Sequence, residues 1–190
     1  MKRQMMTIAL IGITMVAMAQ QKLGVFGSVN ASTTSAEQSK WGVGGNLGLA
    51  YNFDFSEHWG LQPRLVLGYQ ESRLKSVVPT DFYSQWNVAI PVLASYRFNL
   101  SNNLRLRLNA GLYVQWAAFG REKQLYTTGT GLGWWHADFG ERTTYGLQFG
   151  PMLEFGKWFV TADYKHSFKD SKLNFGGKER TLQLGIGYSF

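Results

Sequence analysis

The 190-residue chain contains no cysteine. This absence excludes zinc–thiolate sites, iron–sulfur clusters, cysteine nucleophiles, disulfide frameworks and a lipid-modified N-terminal cysteine. Proline is scarce, with 4 residues, and charged residues make up only 16% of the chain, against about 25% in an ordinary soluble domain. Glycine and aromatic residues are abundant instead, at 22 residues and 15%. The length predicts a single domain, and the small fraction of charged residues predicts a low charge density.

The formal net charge of +7 would suggest nucleic acid, but part of it lies in a segment that we expect to be removed. Residues 1–19 combine Lys2 and Arg3, an apolar run over 5–18, and a small-residue end at Ala17 and Ala19, which together are typical of a secretory signal peptide. The apolar run is shorter than the roughly 20 residues of a membrane-spanning anchor. The mature chain, 20–190, has no run of five or more basic residues, so we expect no nucleic-acid partner.

Beyond residue 20 the chain lacks an apolar run long enough for a transmembrane helix, and Pro91 interrupts the longest one. Apolar residues alternate instead with polar residues or glycine, most regularly over 104–116. An alternation of period two predicts a strand. The same pattern recurs seven more times, and the eight predicted strands are 22–30, 41–53, 59–72, 83–98, 104–116, 143–155, 158–168 and 179–190.

The links between these strands alternate in length. Long links at 31–40, 73–82, 117–142 and 169–178 are separated by short ones at 54–58, 99–103 and 156–157. Long and short links must then lie at opposite ends of an antiparallel sheet. An even number of strands with this arrangement predicts an all-β fold, an eight-stranded antiparallel up-and-down transmembrane β-barrel. We expect the termini and short turns in the periplasm and four loops outside.

Aromatic residues provide an independent indication of a membrane barrel. Four pairs stand ten residues apart on one face of a strand: Trp59 and Tyr69, Trp86 and Tyr96, Tyr145 and Phe155, Trp158 and Phe168. Ten steps of ~3.3 Å, tilted by ~45°, span about 23 Å, close to the ~25 Å apolar band of such barrels. The predicted girdles are Phe53, Trp59, Tyr96, Phe98, Phe155, Trp158, Tyr188 and Phe190 at one interface and Trp41, Tyr69, Trp86, Trp116, Tyr145 and Phe168 at the other.

The opposite face of the strands is polar but almost uncharged. Its members are Gly44, Asn46, Gly48, Ala50, Asn52, Gln62, Gln85, Asn87, Gly111, Gln115, Gly146, Gln148 and Gly150. Small neutral residues suit a narrow, filled lumen, and eight strands leave too little room for an open pore. The alternative is a soluble periplasmic barrel that carries a lipid inside, with the two faces reversed.

The last strand carries the most specific local motif. Residues 183–190 contain a polar residue, a glycine and two alternating aromatics at Gln183, Gly185, Tyr188 and Phe190. This segment resembles the signal by which the barrel assembly machinery recognises its clients. The whole mature chain resembles the small outer-membrane β-barrel domain family of Gram-negative bacteria, which includes the PorT-like proteins and shares the architecture of OmpX and the OmpA barrel. The resemblance implies a location in the cell outer membrane, and the PorT-like members suggest an accessory role in secretion.

The alternation also places several charges inside the lumen, among them Arg97 and Lys165. Buried charges need partners. We predict that Arg64 meets Asp163 across the centre of the lumen, and that Glu154 pairs with Arg105 and Arg107 toward the periplasmic end. These pairs are interpreted as structural; a proton or ion path through them is the functional alternative.

Candidate catalytic groups are few. His166 and Ser167 are adjacent and therefore point to opposite faces of a strand, whereas deacylase-like outer-membrane enzymes place His and Ser on one face. His58 lies in a short turn, and His136 with Asp138 lies in the longest loop. The sequence has no cluster with metal-ligand spacing, and the glycines of 129–133 lack the context of a phosphate-binding loop and are interpreted as a flexible loop tip. We expect no catalytic residue, metal or cofactor; a lipid A-modifying enzyme of the deacylase or acyltransferase type is the alternative function.

Two outer segments are candidates for binding. The 117–142 loop, rich in aromatic and leucine residues, would form either an adhesive surface or a cover over the barrel mouth. The last loop concentrates positive charge in Lys169, Lys172, Lys178 and Arg180, which suit lipopolysaccharide phosphates or a solvated basic loop. We predict a monomeric, non-enzymatic membrane scaffold whose partners are outer-membrane lipid, lipopolysaccharide and, during biogenesis, the barrel assembly machinery.

Overall fold

The computed structural model describes residues 22–35, 39–74, 82–126, 129–136, 142–170 and 177–190. Eight long strands follow one another along the chain: β1 (Lys22–Thr34), β2 (Gly42–Asp54), β3 (Trp59–Leu74), β4 (Phe82–Asn99), β5 (Leu104–Tyr126), β6 (Thr143–Phe155), β7 (Trp158–Asp170) and β8 (Lys178–Ser189). Two shorter strands, Ser39–Lys40 and Gly129–His136, pair with β3 and β5. The eight predicted strands are therefore present, and β5 is much longer than predicted.

Each strand pairs antiparallel with the next, and β8 pairs with β1. The closing pairs run from Gly24 opposite Ser189 to Thr34 opposite Glu179. The sheet is thus a closed up-and-down barrel, which confirms the predicted fold class. No helix occurs among the residues described.

The described part of the chain contains no helix that is long and apolar enough to cross a membrane.

The links give the barrel two different ends. At the short-turn end, β2 connects to β3, β4 to β5 and β6 to β7 by tight turns, in which Phe55 N–H donates to Trp59 O and Leu100 N–H to Leu104 O. The two-residue turn between β6 and β7 contains Gly156 with φ at 62°, a conformation that other residues adopt only with strain. The opposite end, where β1, β3, β5 and β7 finish, is the long-loop end.

The prediction of an irregular loop over 117–142 is wrong for most of its length. β5 continues to Tyr126, and Gly129–His136 pairs back along it from Tyr126 opposite Gly129 to Phe119 opposite His136. The glycines of 129–133 lie in this strand rather than at a loop tip. Glycine occupies three of the first five positions of this strand and is disfavoured in strands, so the sequence favours a loop here.

A bulge separates this extension from the barrel wall. Trp86 pairs with Phe119 while Asn87 pairs with Ala117, so one extra residue, Ala118, is inserted into β5. The insertion shifts the alternation of faces, and Phe119 points outward instead of into the lumen. This is why the regular pattern of the sequence stops near Trp116.

The two faces of the sheet have the predicted polarity. The neutral polar residues Asn46, Asn52, Gln62, Gln115 and Gln148 are buried in the lumen. The outer wall exposes large aliphatic residues, with Leu47 at 71% exposure the most prominent. A soluble lipid-carrying barrel would have these faces reversed.

Aromatic rings form a girdle at each end of this apolar wall. At the short-turn end, Trp59 packs edge-on against Tyr96, and Trp158 against Tyr188, with ring centroids 4.9 and 5.3 Å apart. At the long-loop end the contacts are Tyr69 with Trp86, Tyr145 with Phe168, and Trp86 with Phe119, the last a consequence of the bulge. Aromatic pairs across neighbouring strands stabilise the sheet where the barrel meets the two interfaces.

Candidate functional site

The centre of the lumen is occupied by an ion pair between β3 and β7. Arg64 Nη1 lies 2.8 Å from Asp163 Oδ2, and both side chains are only 2% exposed. Arg64 Nε also donates to Gln62 Oε1, and Thr161 Oγ1 donates to Asp163 Oδ2, each at 2.8 Å. The Arg64 guanidinium lies 5.7 Å from the centre of the Phe26 ring. The structure therefore brings together the two residues predicted to meet across the lumen.

A second cluster lies toward the short-turn end. Arg107, with a side chain 1% exposed, donates from Nε to Glu154 Oε1 at 2.6 Å and from Nη1 to Asp54 Oδ1 at 2.7 Å. Arg97 pairs with the other oxygen of Asp54. Two arginines thus share one aspartate, and Arg107 links it to Glu154.

This cluster differs from the predicted one, because Asp54 and Arg97 belong to it and Arg105 does not pair with Glu154. Arg105 lies opposite Glu154 in the β5–β6 register, but among the described residues the ion pair to Glu154 comes from Arg107. Asp54 was assigned to a turn by the sequence analysis, although its position follows Ala50 and Asn52 on the lumen face of β2. The alternation, continued by one step, would have found it.

A third group lies toward the long-loop end. Lys165 Nζ donates to Gln115 Oε1 at 3.0 Å and lies 4.9 Å from the centre of the Tyr113 ring. Glu179 Oε1 accepts hydrogen bonds from Gln70 Nε2 at 3.0 Å and Thr181 Oγ1 at 3.2 Å. Both charged residues are buried. The lumen therefore contains charged groups at three heights, which we call the three levels. At each level the charged side chains bond to side chains from other strands.

The bonds at these three levels connect strands across the interior of the barrel and stabilise it. A buried guanidinium with several acceptors is costly to move, because each displaced hydrogen bond leaves a charge in a medium of low dielectric constant. The bonds join β3 to β7, β2 to β5 and β5 to β6 at one or more points. Chemically, the arrangement favours a fixed, filled interior.

The candidate catalytic residues whose side chains the structure describes do not converge. Ser167 is buried in the lumen, where its hydroxyl accepts from Glu179 N–H at 2.7 Å and donates to Lys169 O at 3.0 Å. His166 lies on the opposite face. His58 Nδ1 lies 3.1 Å from Arg97 O, and its ring stacks on Tyr96. The side chains of His136 and Asp138 lie outside the described residues.

No group of three or more metal-ligating residues is placed to hold an ion within the part of the chain that the structure describes.

The basic residues of the last loop are divided between surfaces. Lys169 points to the barrel mouth, where Nζ donates to Thr143 O at 3.2 Å. Lys178 and Arg180 are exposed on the outer face of β8, above Leu182 and Leu184. Lys172 lies outside the described residues. Of the three basic residues that the structure describes here, Lys178 and Arg180 lie at the lipid-facing wall.

The terminal motif lies along the same strand. Gln183 and Gly185 are buried on the lumen side of β8. Tyr188 points outward between the rings of Trp158 and Phe190, with centroids 5.3 and 5.6 Å away. Phe190 N–H donates to Leu23 O at 2.9 Å and extends the β8–β1 pairing to the last residue.

Comparison with known proteins gives one family match. The profile described as "Outer membrane protein beta-barrel domain" matches residues 18–173. No curated protein matches the chain at the same standard.

Several solved structures are similar to this chain at low sequence identity. The attachment invasion locus protein Ail of Yersinia pestis is 18% identical, with a TM-score of 0.44, over 90% of this chain and 99% of Ail. Neisserial surface protein A is 13% identical, with a TM-score of 0.49, over 90% of this chain and 97% of its own. The outer membrane enzyme PagL is 14% identical, with a TM-score of 0.49, over 85% and 98%.

Proposed function

The chain belongs to the outer membrane protein β-barrel domain family and is located in the cell outer membrane, and from this premise we propose that it is a non-enzymatic membrane scaffold. In this proposal its long-loop end faces outward and binds other molecules. The short-turn end and both ends of the barrel chain face the periplasm.

The observation that carries this proposal is the sheet that continues past the long-loop girdle. β3 and β4 stay paired as far as Arg73 opposite Phe82, and β4 and β5 as far as Tyr83 opposite Glu122. Gly129–His136 adds a further strand to this sheet. From Trp116 to Tyr126 the backbone advances by roughly 33 Å along the strand.

A sheet anchored in the barrel wall is a rigid support for a binding surface. Loops that carry function work best on a scaffold that fixes their geometry. The three braced levels of the lumen support the same interpretation, because they stabilise the wall from which the sheet extends. Nothing in this role needs a moving part inside the barrel.

The last strand supports a further part of the proposal. Tyr188 and Phe190 present their rings outward at the end of β8, in the position that the barrel assembly machinery is expected to meet during insertion. We propose this machinery as a transient partner and the monomer as the mature form.

The orientation is tested by single cysteines, because the chain has none of its own. Ser101→Cys lies in a short turn, and Thr128→Cys lies in the chain between β5 and Gly129–His136. A membrane-impermeant maleimide added to intact cells is expected to label the Thr128→Cys variant and to leave Ser101→Cys unlabelled until the outer membrane is permeabilised. The reverse pattern would contradict the proposal.

The binding role is tested by deleting 121–140. Cells that display this variant are expected to be retained less on plates coated with serum proteins than cells with the intact barrel. Removing 171–176 from another loop is the matched control. Equal retention of all three would contradict binding through the sheet.

The enzymatic alternative has its own measurement. Lipid A isolated from membranes with and without the protein is weighed by mass spectrometry. The proposal expects identical acyl patterns, whereas a lost or added acyl chain would identify a lipid-modifying enzyme.

A further inference from the structure

The lipid-facing wall of the barrel is indented at one place. An open trough of 830 Å³ crosses the outer face of β8, β1, β2 and β3. Gly27 and Gly45 form its floor, and Leu67, Leu184 and Ile186 are among its apolar sides. A second depression of 710 Å³ shares Val29, Tyr69 and Leu184 with it and reaches Glu71, nearer the long-loop end. We call the two together the β1 trough.

The two floor glycines are not required by the barrel itself. A Cβ on Gly27 would lie 3.7 Å from Leu47 Cδ2, and one on Gly45 would lie 3.6 Å from Ser28 O, both ordinary contacts. Neither residue has a positive φ. The neighbouring Gly44 is different, because a Cβ there would lie 2.1 Å from Tyr69 O.

A glycine in a strand costs stability relative to alanine, and one that its own fold does not need marks a place where another molecule approaches the backbone. Gly27 and Gly45 lie on neighbouring strands, and both face outward. Larger residues at these positions would fill the trough. The indentation is therefore a feature of shape that the rest of the structure does not explain.

Charge is arranged along one side of the trough. The outer face of β8 carries Lys178 and Arg180 at the long-loop end and then Leu182, Leu184 and Ile186 along the trough. On the opposite side, Glu71 accepts a hydrogen bond from Tyr69 Oη at 3.0 Å. An anionic head group would therefore approach from the β8 side, and its chain would continue along the apolar floor.

We propose that the β1 trough binds one acyl chain of lipid A, with a lipid A phosphate at Lys178 and Arg180. This inference rests on the proposed orientation, which places the trough in the outer leaflet. From Gly27 to Thr33, opposite Arg180, the floor runs for about 20 Å along β1, a length that suits a single extended chain.

The physical basis of binding is contact and charge rather than the hydrophobic effect. Bilayer chains are as apolar as the wall, so a chain gains no free energy from leaving water. It gains van der Waals contact with the floor and the apolar residues that line the trough. The two cations attract the phosphate. A single lipid A molecule can make both contacts, since its acyl chain and its phosphate belong to the same molecule.

The experiment uses the purified full-length barrel, exchanged in detergent into lipid A, phosphatidylglycerol or phosphatidylethanolamine, with retained lipid measured by native mass spectrometry. The wild-type barrel is expected to retain lipid A. Gly45→Leu, which fills the trough, and the double variant Lys178→Gln and Arg180→Gln are each expected to weaken retention by about tenfold or more. Gly27→Val is a second filling variant.

Matched controls separate the site from general lipid contact. Ala110→Leu enlarges an exposed residue of the outer wall on β5, outside the trough, and Lys157→Gln removes an exposed cation at the short-turn end. Both are expected to retain lipid A as the wild type does. Heat-modified gel mobility shows which variants are folded, and only folded ones are compared.

Three results would overturn the inference: undiminished lipid A retention in the folded filling variants, equal retention of phosphatidylglycerol, or a dimer that forms through the trough in place of lipid. The measurement in detergent does not depend on which way the barrel faces. Cysteine labelling tests the proposed orientation independently, so the orientation and the lipid A site can be contradicted separately.

Discussion

The contacts of Arg107 cannot be predicted from the residue that lies opposite it in the strand register. It lies opposite Met152 in the register and reaches Glu154 diagonally, while its other nitrogens meet Asp54 on a distant strand. Its fork of donors can satisfy two carboxylates at once, which a residue directly opposite one of them cannot do as easily. The alternation identified the right face and height, but the choice between Arg105 and Arg107 depends on side-chain reach.

Replacing Arg107 with leucine is expected to destabilise the barrel by about 3–5 kcal/mol, because it leaves Glu154 and part of Asp54 without a cation in the lumen. Arg105→Leu is the matched control, on the same strand and the same face, and is expected to cost less than about 1 kcal/mol. Urea-unfolding midpoints in lipid vesicles measure both. Equal losses would show that the ion pairs of Arg107 contribute no special stability.

The central pair allows a test of its net contribution. Arg64→Met alone is expected to cost about 3–5 kcal/mol, since Asp163 stays buried and loses its cation. The double variant with Asp163→Val is expected to recover a large part of that loss, because neither charge is then left unpaired. A double variant less stable than the worse single variant, measured by the same unfolding midpoints, would contradict this interpretation.

The strands themselves were predictable because each wall position faces either lipid or the lumen. All eight appear where the alternation placed them, from β1 at Lys22–Thr34 to β8 at Lys178–Ser189. Gly129–His136 was not predictable in this way, because glycine occupies three of its first five positions and is disfavoured in strands. Asp54 was missed for a related reason: it stands at the end of β2, where a strand position and a turn position look alike in sequence.

Two adjacent glycines on β2 allow a direct test of packing between strands. Gly44→Ala is expected to destabilise the barrel by about 1–3 kcal/mol, because its Cβ would press on the backbone of β3. Gly45→Ala has room for its Cβ and is expected to be neutral or to stabilise by roughly 0.5–1 kcal/mol. The two unfolding midpoints are compared in the same lipid. Equal destabilisation by both variants would contradict the difference in packing.

Taken as a whole, the molecule is a filled cylinder rather than a pore. Side chains from all parts of the wall meet inside it, and Gln62, Arg64, Gln148 and Asp163 are all buried. Eight strands enclose only enough space for such side chains. The small neutral residues of the sequence predict a filled lumen and the alternation places Lys165 inside it; Glu179 is the charged residue that the structure adds at the same level.

This filling predicts the electrical behaviour of the protein. The reconstituted barrel in a planar bilayer is expected to show no discrete conductance steps, because the buried Arg64–Asp163 ion pair occupies the centre of the lumen. Arg64→Ala is the informative variant, since it shortens the side chain that spans the centre. Stable steps in the wild-type protein would favour an ion path through the lumen.

The pairing of β1 with β8 joins the first strand of the sheet to the last, with Gly24 opposite Ser189. Every other wall contact links neighbours in sequence and is able to form as a local hairpin, whereas this one waits for the entire chain. The entropic cost of closing such a loop grows only slowly with its length. The β1–β8 pairing therefore forms last because β8 is the last strand of the barrel, and not because closure has a large thermodynamic cost. Until Phe190 arrives, the growing sheet has two open edges, and the seam at β1 and β8 is therefore the step at which assembly of this protein is completed.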